Sequence, residues 1–178
     1  MQKRIEIRIT GLGGQGVVLA GEILGRAAVY DEKHVVQTQS YGAEARRSAT
    51  KSEVIIADKK IGFPTVRKCD VLVAMSQTAF DKHLKDLKED GTLLVDEDLV
   101  RKMPKIRARI FKIPATKTAE TKLKSKIYAN MIMLGALTKT TGLVSQQAVE
   151  KAITESVPNK TQEKNIRGFR IGLELVKQ

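Results

Sequence analysis

Four glycines fall within six residues, Gly11, Gly13, Gly14 and Gly16, with Gln15 between the last two. They stand between an alternating apolar stretch and an apolar helical one, and their spacing is G-x-G-x-x-G. At the start of a helix such a turn lets backbone N–H groups face a phosphate, and the missing side chains keep the approach open. A dinucleotide reader also carries an acid roughly twenty residues further on, at the end of the second strand, to hold the ribose hydroxyls. Gln39 and Ser40 occupy that position here, while Asp31 and Glu32 precede the strand. NAD binding is therefore not expected. The turn is left to another ligand, to a partner surface, or to a tight strand-to-helix crossing alone.

The stretch QTQSYGAEARRSATKSEVII, residues 37–56, reads as a long polar connection after the second strand. In a doubly wound sheet it leaves the same carboxyl edge as the glycine turn, where ligands bind. Gln37, Gln39, Ser40, Tyr41, Glu44 and Arg46 then gather near the glycines. No nucleophile stands beside a base among them, so no catalytic residue is assigned. His34 and His83 are too far apart for a metal-ligand pattern, and the single Cys69 can form neither an internal disulfide nor an iron–sulfur site. Cys69 reads as a structural thiol, His83 as a surface residue and Asn130 as buried and hydrogen-bonded. Met131 and Met133 read as gap-filling core or interface residues.

These residues need a scaffold, and the pattern supplies one. Ile5, Ile7 and Ile9 alternate with polar residues as a first strand, and residues 15–30 carry a helical apolar period, with Gly21 and Gly25 permitting close packing. Further strands are expected at 34–38, 53–57, 71–75, 92–95 and 109–113. A helix over 77–88 follows Ser76 as its cap, and helices over 118–141, 146–155 and 162–176 complete the chain. Strands separated by helices predict an α/β fold with a doubly wound, mostly parallel sheet, helices on both faces, and a Rossmann-like glycine-rich first loop. With 178 residues, one domain over 1–178 is expected.

The chain carries a net charge of +12, and residues 101–126 hold ten basic side chains against the single acid Glu120. That segment suits a solvated face, an anionic ligand or an acidic partner. Nucleic acid is not expected, since aromatics are only 4% of the chain and none interleaves with the basic residues to stack bases. A charged N-terminus and the lack of a long apolar run predict a soluble, cytoplasmic protein without membrane contact.

Five stretches, GLGGQGVVLAGEILGRAA, QTQSYGAEAR, DVLVAMSQTAFDKHL, IPATKTAE and ANMIMLGALTKTTGLVS, together resemble the gamma subunit of 2-oxoacid:ferredoxin oxidoreductases. The resemblance runs over residues 8–173, with the motifs in the family's order. The wording VQTQSYG and LVAMSQ is nearest to the 2-oxoglutarate branch; the pyruvate, 2-oxoisovalerate and indolepyruvate branches are the alternatives, as is a stand-alone nucleotide- or CoA-binding regulator.

The resemblance implies oxidative decarboxylation of a 2-oxoacid to an acyl-CoA, with electrons passed to ferredoxin. It implies alpha, beta and delta partner subunits that hold thiamine diphosphate, Mg and an iron–sulfur cluster, no cofactor held by this chain alone, and CoA in the assembled enzyme. An isolated chain, as a monomer or a homodimer, would be inactive. The active-site-facing residues it implies are Gly11, Gly13, Gly14, Gln15, Gly16, Gln39, Ser40, Tyr41, Gly42, Glu44 and Arg46. The family loop reads S-Y-G-P-E-A-R-G-G, whereas this chain has Ala43 for the proline and Arg47 and Ser48 for the glycines. A fixed φ and two permissive backbone positions are thereby lost.

Overall fold

β-Branched side chains at every second position carry the first strand through the centre of the molecule. The computed structural model describes residues 4–41 and 49–176. Its strands are β1 (Arg4–Leu12), β2 (His34–Ser40), β3 (Ala49–Ala57), β4 (Cys69–Ala74), β5 (Leu87–Asp96) and β6 (Arg109–Ile113). Its helices are α1 (Val17–Tyr30), α2 (Gln77–His83), α3 (Ala115–Leu123), α4 (Ala129–Thr141), α5 (Gln146–Ser156) and α6 (Asn159–Leu175). The strands form one sheet in the order β2-β3-β1-β4-β5-β6. β1, β4, β5 and β6 pair in parallel, while β3 runs antiparallel to both of its neighbours.

Helices lie on both faces. On the first, Ile7, Val54, Val73 and Leu94 pack against Ile23 and Leu24 of α1 and Phe169 of α6. On the second, Ile55, Leu72 and Leu93 meet Phe80 of α2, Val66 and Val100. The mostly parallel α/β architecture expected from the sequence is present, with one strand reversed.

That reversal corrects one expectation. The polar connection after β2 is not a βα loop: β2 and β3 are antiparallel neighbours, and residues 49–52, expected before the strand at 53–57, are already strand, all pairing with β1 and residues 51 and 52 with β2 as well. Polar side chains in Ala49–Ala57 hid it. Thr50, Ser52 and Glu53 are nevertheless buried, because β3 is an interior strand.

Two helices are shorter than expected. The one over 77–88 ends at His83, passes through a 3₁₀ turn at Leu84–Asp86, and gives way to β5. Gly91, expected to close that connection, lies inside β5, where a Cβ would stand 2.6 Å from the Leu87 side chain and 2.9 Å from the Asp70 carbonyl. The helix expected over 118–141 is two helices, parted where Lys124 adopts a left-handed φ of 61° and Ser125 caps the next turn. Among the described residues no helix is long and apolar enough to cross a membrane.

Candidate functional site

The carboxyl edge of the sheet collects the ends of β1, β4, β5 and β6. After β1 the chain turns toward the first face to begin α1; after β4 it turns toward the second to begin α2. The two chains part between neighbouring strands, which in open α/β sheets makes the crevice where ligands bind. Here Gln15 fills that crevice. Its Oε1 accepts the Leu12 N–H at 2.6 Å, and its Nε2 donates to the Met75 carbonyl at 2.8 Å. The Met75 N–H in turn donates to the Thr10 carbonyl at 2.8 Å. The glycine turn is thus fastened to the end of β4 by the protein's own amide.

The four glycines do different things. At Gly11 a Cβ would stand 2.6 Å from the Gln15 amide oxygen and 2.8 Å from the Val17 side chain, so it is needed for packing. Gly16 has φ +71° and caps α1, and a Cβ there would stand 2.2 Å from the Asn130 side-chain nitrogen. Asn130 is buried; its Nδ2 donates to the Gly16 carbonyl at 3.2 Å, while its Oδ1 accepts from the Met131 N–H at 2.9 Å. Gly13 and Gly14 are exposed, and nothing lies within 4 Å of a Cβ built on either. The left-handed backbone of Gly14, φ +91°, lies at this open corner. Two glycines therefore serve the fold, and two leave an approach open.

Beside that corner lies a cavity of about 200 Å³ lined by Gly14, Gln15, Met75, Leu99, Thr116 and Ile127, with Lys126 at its edge. Ile127 is 60% and Leu99 37% exposed, so the rim presents apolar surface to a neighbour. Thr116 is held by Asp96 at the end of β5: its hydroxyl donates to the carboxylate at 2.5 Å, and its N–H lies 3.4 Å away. Asp96 also accepts from the Asp98 N–H at 3.2 Å. Burial pushes this carboxyl above its ordinary range against those hydrogen bonds. Asp96 thus couples the turn carrying Leu99 to the start of α3. Gly14 and Gln15 of this cavity were expected from the sequence; Met75, Asp96, Leu99, Thr116 and Ile127 were not, although an acid closing a strand at the carboxyl edge is a usable signal.

Gln39, Ser40 and Tyr41 are exposed, and Tyr41 is 65% so. In register, Ser40 pairs with Lys51 and Leu12 with Ala49, so the end of β2 shares the glycine turn's edge with β3 between them. Two strand spacings separate them, roughly 10 Å. Gly42, Glu44 and Arg46 lie outside the described residues, as do Ala43, Arg47 and Ser48. The acids near β2 stay at its other end, where Asp31 accepts from the Ser145 N–H and hydroxyl at the start of α5.

Nothing described at this edge is a nucleophile with a base. Cys69 is buried at the start of β4, and burial holds its thiol up to about 12, so it stays protonated and unreactive. His83, expected at the surface, is buried. The turn after α2 sets its Nδ1 3.3 Å from Asp86, which also accepts from Arg8 at 2.5 Å. Arg8 binds Glu53, its cross-strand partner, through Nε at 2.8 Å. Among the described residues no three His, Cys, Asp or Glu side chains group as metal ligands. Among the described residues the arrangement is one that can bind and position.

The description "pyruvate ferredoxin/flavodoxin oxidoreductase" belongs to a family model that matches residues 6–175. The chain is 54% identical over 181 residues to the 2-oxoglutarate synthase subunit KorC of Methanocaldococcus jannaschii, covering 100% of this chain and 97% of that protein. It is 34% identical to the pyruvate synthase subunit PorC of Thermotoga maritima, over 99% of this chain and 96% of that one. The crystal structure of a keto/oxoacid ferredoxin oxidoreductase gamma subunit from Geobacter sulfurreducens superposes with a TM-score of 0.86 at 46% identity, covering 96% of both chains.

Proposed function

The chain belongs to the pyruvate ferredoxin/flavodoxin oxidoreductase family as a gamma-type subunit of a multi-subunit 2-oxoacid oxidoreductase, and we propose that its 2-oxoacid is 2-oxoglutarate and that its carboxyl edge faces the shared active site. Support for 2-oxoglutarate comes from the 54% identity to a 2-oxoglutarate synthase subunit against 34% to a pyruvate synthase subunit. Support for the edge comes from one observation above all: Gly13 and Gly14 are open and unpacked, next to an apolar-rimmed cavity.

The whole chain works as one domain, in the cytoplasm, with alpha, beta and delta subunits. The donor set here does not fit the redox and thiamine groups. One buried cysteine cannot hold an iron–sulfur cluster, and no described acid cluster suits a magnesium diphosphate. Those groups belong to the partner chains, and no step runs through this one. What the edge does suit is an anionic, partly apolar substrate arm such as that of CoA. Helix N-terminal N–H groups and Lys126 would meet its phosphates, and Leu99 and Ile127 its apolar stem.

The test is reconstitution. The isolated chain is expected to reduce no dye with any 2-oxoacid and CoA; with its partner subunits, kcat/KM is expected to be highest for 2-oxoglutarate. Turnover by the chain alone overturns the subunit reading, and a preference for pyruvate overturns the substrate.

A further inference from the structure

The link from β5 to β6 joins two parallel strands, a crossover usually made by a helix. Here residues 97–108 cross as irregular chain. On that face the α2 backbone packs mainly on β1, β3 and β4, with Phe80 reaching the β5 residue Leu93, so the cover thins toward β6. Ile110 of β6 alternates with Phe111 and Ile113, which pack toward the first face, and is itself 39% exposed. Next to it a groove of about 260 Å³ has a floor of Leu84, Leu87, Ile106 and Ala108.

The charge on this strip is predominantly basic, although Glu89 lines the groove and Glu97 and Asp98 lie in a hollow with Lys112. Residues 99–112 contain six basic side chains and no acid. Lys105 and Arg107 stand on the groove's rim. The one ion pair there, Arg107 with Glu89, spans 4.0 Å with both side chains 87% exposed, which contributes little. Lys102, Lys105 and Lys112 have no carboxylate partner among the described residues. Nor is the strip loose. Gln77 accepts the N–H groups of Arg101 and Lys102 at 2.9 and 3.0 Å and donates to the Lys102 carbonyl at 2.9 Å, while Met103 and Ile106 pack on the second core. This irregular chain is thus held in a set shape that presents Lys105 and Arg107 beside an apolar groove, with Lys112 in a second hollow and Lys102 fixed by Gln77 farther along the strip.

We propose that this surface docks an acidic polypeptide segment of a companion subunit, with an apolar side chain seated in the groove and carboxylates on Lys102, Lys105, Arg107 and Lys112. The proposal rests on the subunit reading and adds a second contact, on a different part of the molecule from the glycine turn. Charge decides the occupant. A second copy of this strip would set cations against cations, and the net charge of +12 opposes self-association generally. Nucleic acid would find no stacking platform, since Phe111, the aromatic of the strip, is packed toward the helices.

Zero-length carbodiimide coupling joins lysine amines to carboxylates in direct contact, and it tests the proposal on the purified complex. Links from Lys102, Lys105 or Lys112 to Asp or Glu of another chain are expected. The combined variant Lys105→Glu, Arg107→Glu, Lys112→Glu is expected to weaken retention in the complex about tenfold at low salt, with the deficit shrinking at high salt as exposed charges are screened. Ile110→Asn, which removes apolar surface without adding charge, should weaken it without that salt dependence, and Lys59→Glu with Lys60→Glu should leave it unchanged. Links confined to Glu89, Glu97 and Asp98 of the same chain, in a complex that retains it and turns over 2-oxoacid, overturn the docking surface alone. Absence of the chain from the active complex overturns both readings. Tight binding of duplex DNA by the isolated chain, lost in the triple variant, overturns the polypeptide partner.

Discussion

Gly16 and Asn130 show how one contact sets the shape of the glycine turn. The left-handed φ of 71° excludes a side chain, and the amide nitrogen of Asn130 occupies the place a Cβ would take. Gly16→Ala therefore meets two penalties, a backbone one of about 1–2 kcal/mol and a steric one of about 1–3 kcal/mol. Asn130→Ala costs less, roughly 1 kcal/mol, because the Gly16 carbonyl keeps its bond from the Ala20 N–H at 3.0 Å. In the double variant the steric part should vanish while the backbone part stays, so the two losses add to less than their sum. Urea unfolding of the four proteins measures this; strict additivity would mean that the contact does not hold the turn.

At the scale of elements, α4 and α6 approach closely enough for their backbones to touch. A Cβ at Gly135 would lie 2.0 Å from the Phe169 carbonyl oxygen, and one at Gly172 would lie 2.0 Å from that of Ile132. Backbone atoms cannot swing aside, so Gly135→Ala must push the helices apart. A loss of about 3 kcal/mol or more is expected, read as a fall in melting temperature. Gly25 of α1 is the control. The nearest atoms to its Cβ are the Gln37 and Val35 side chains at 3.7 and 3.8 Å, and its φ is ordinary. There Gly25→Ala should raise stability by about 0.5–1 kcal/mol through helix propensity. The sequence reading had credited both Gly21 and Gly25 with close packing. Only Gly21 needs it, since a Cβ there would meet the Ser52 hydroxyl at 1.9 Å.

For the molecule as a whole, the buried Arg8, Glu53, Asp86 and His83 group ties the centre of the sheet to the turn after α2. Burial lowers the His83 pKa below its usual 6.5, and the Asp86 hydrogen bond only partly opposes this. The folded protein then holds fewer protons than the unfolded chain in the window just below pH 6.5. Stability contributed by neutral His83 is fully present above that pH and is lost as the pH falls through it. Unfolding midpoints measured from pH 7.5 to 5.5 should drop for the natural chain and stay flatter for His83→Gln. An equal drop in both would assign the effect to other groups.

Local chemistry written in the chain was enough for a good part of this. Alternating isoleucines, the G-x-G-x-x-G turn and the Ser76 cap depend on neighbours a few residues apart, and they led to an α/β fold; the subunit reading came from the resemblance carried by the longer motifs. Strand β6 fell at its expected bounds, because RIFKI is punctuated by Pro114 and needs no distant partner to be read. The direction of β3 could not be read in this way. Its polar residues look like a loop until β1 and β2 close over both sides, and the pairing of Leu12 with Ala49 or of Arg4 with Ala57 is a tertiary fact. The same holds for the glycines. Spacing makes Gly13 and Gly16 equivalent, yet one faces open space and the other an asparagine 114 positions away. His83 reads as surface on its helix and is buried because Arg8 and Asp86 converge on it. Periodicity records what a residue's own element prefers; which atoms meet it from elsewhere is decided only when the whole chain packs.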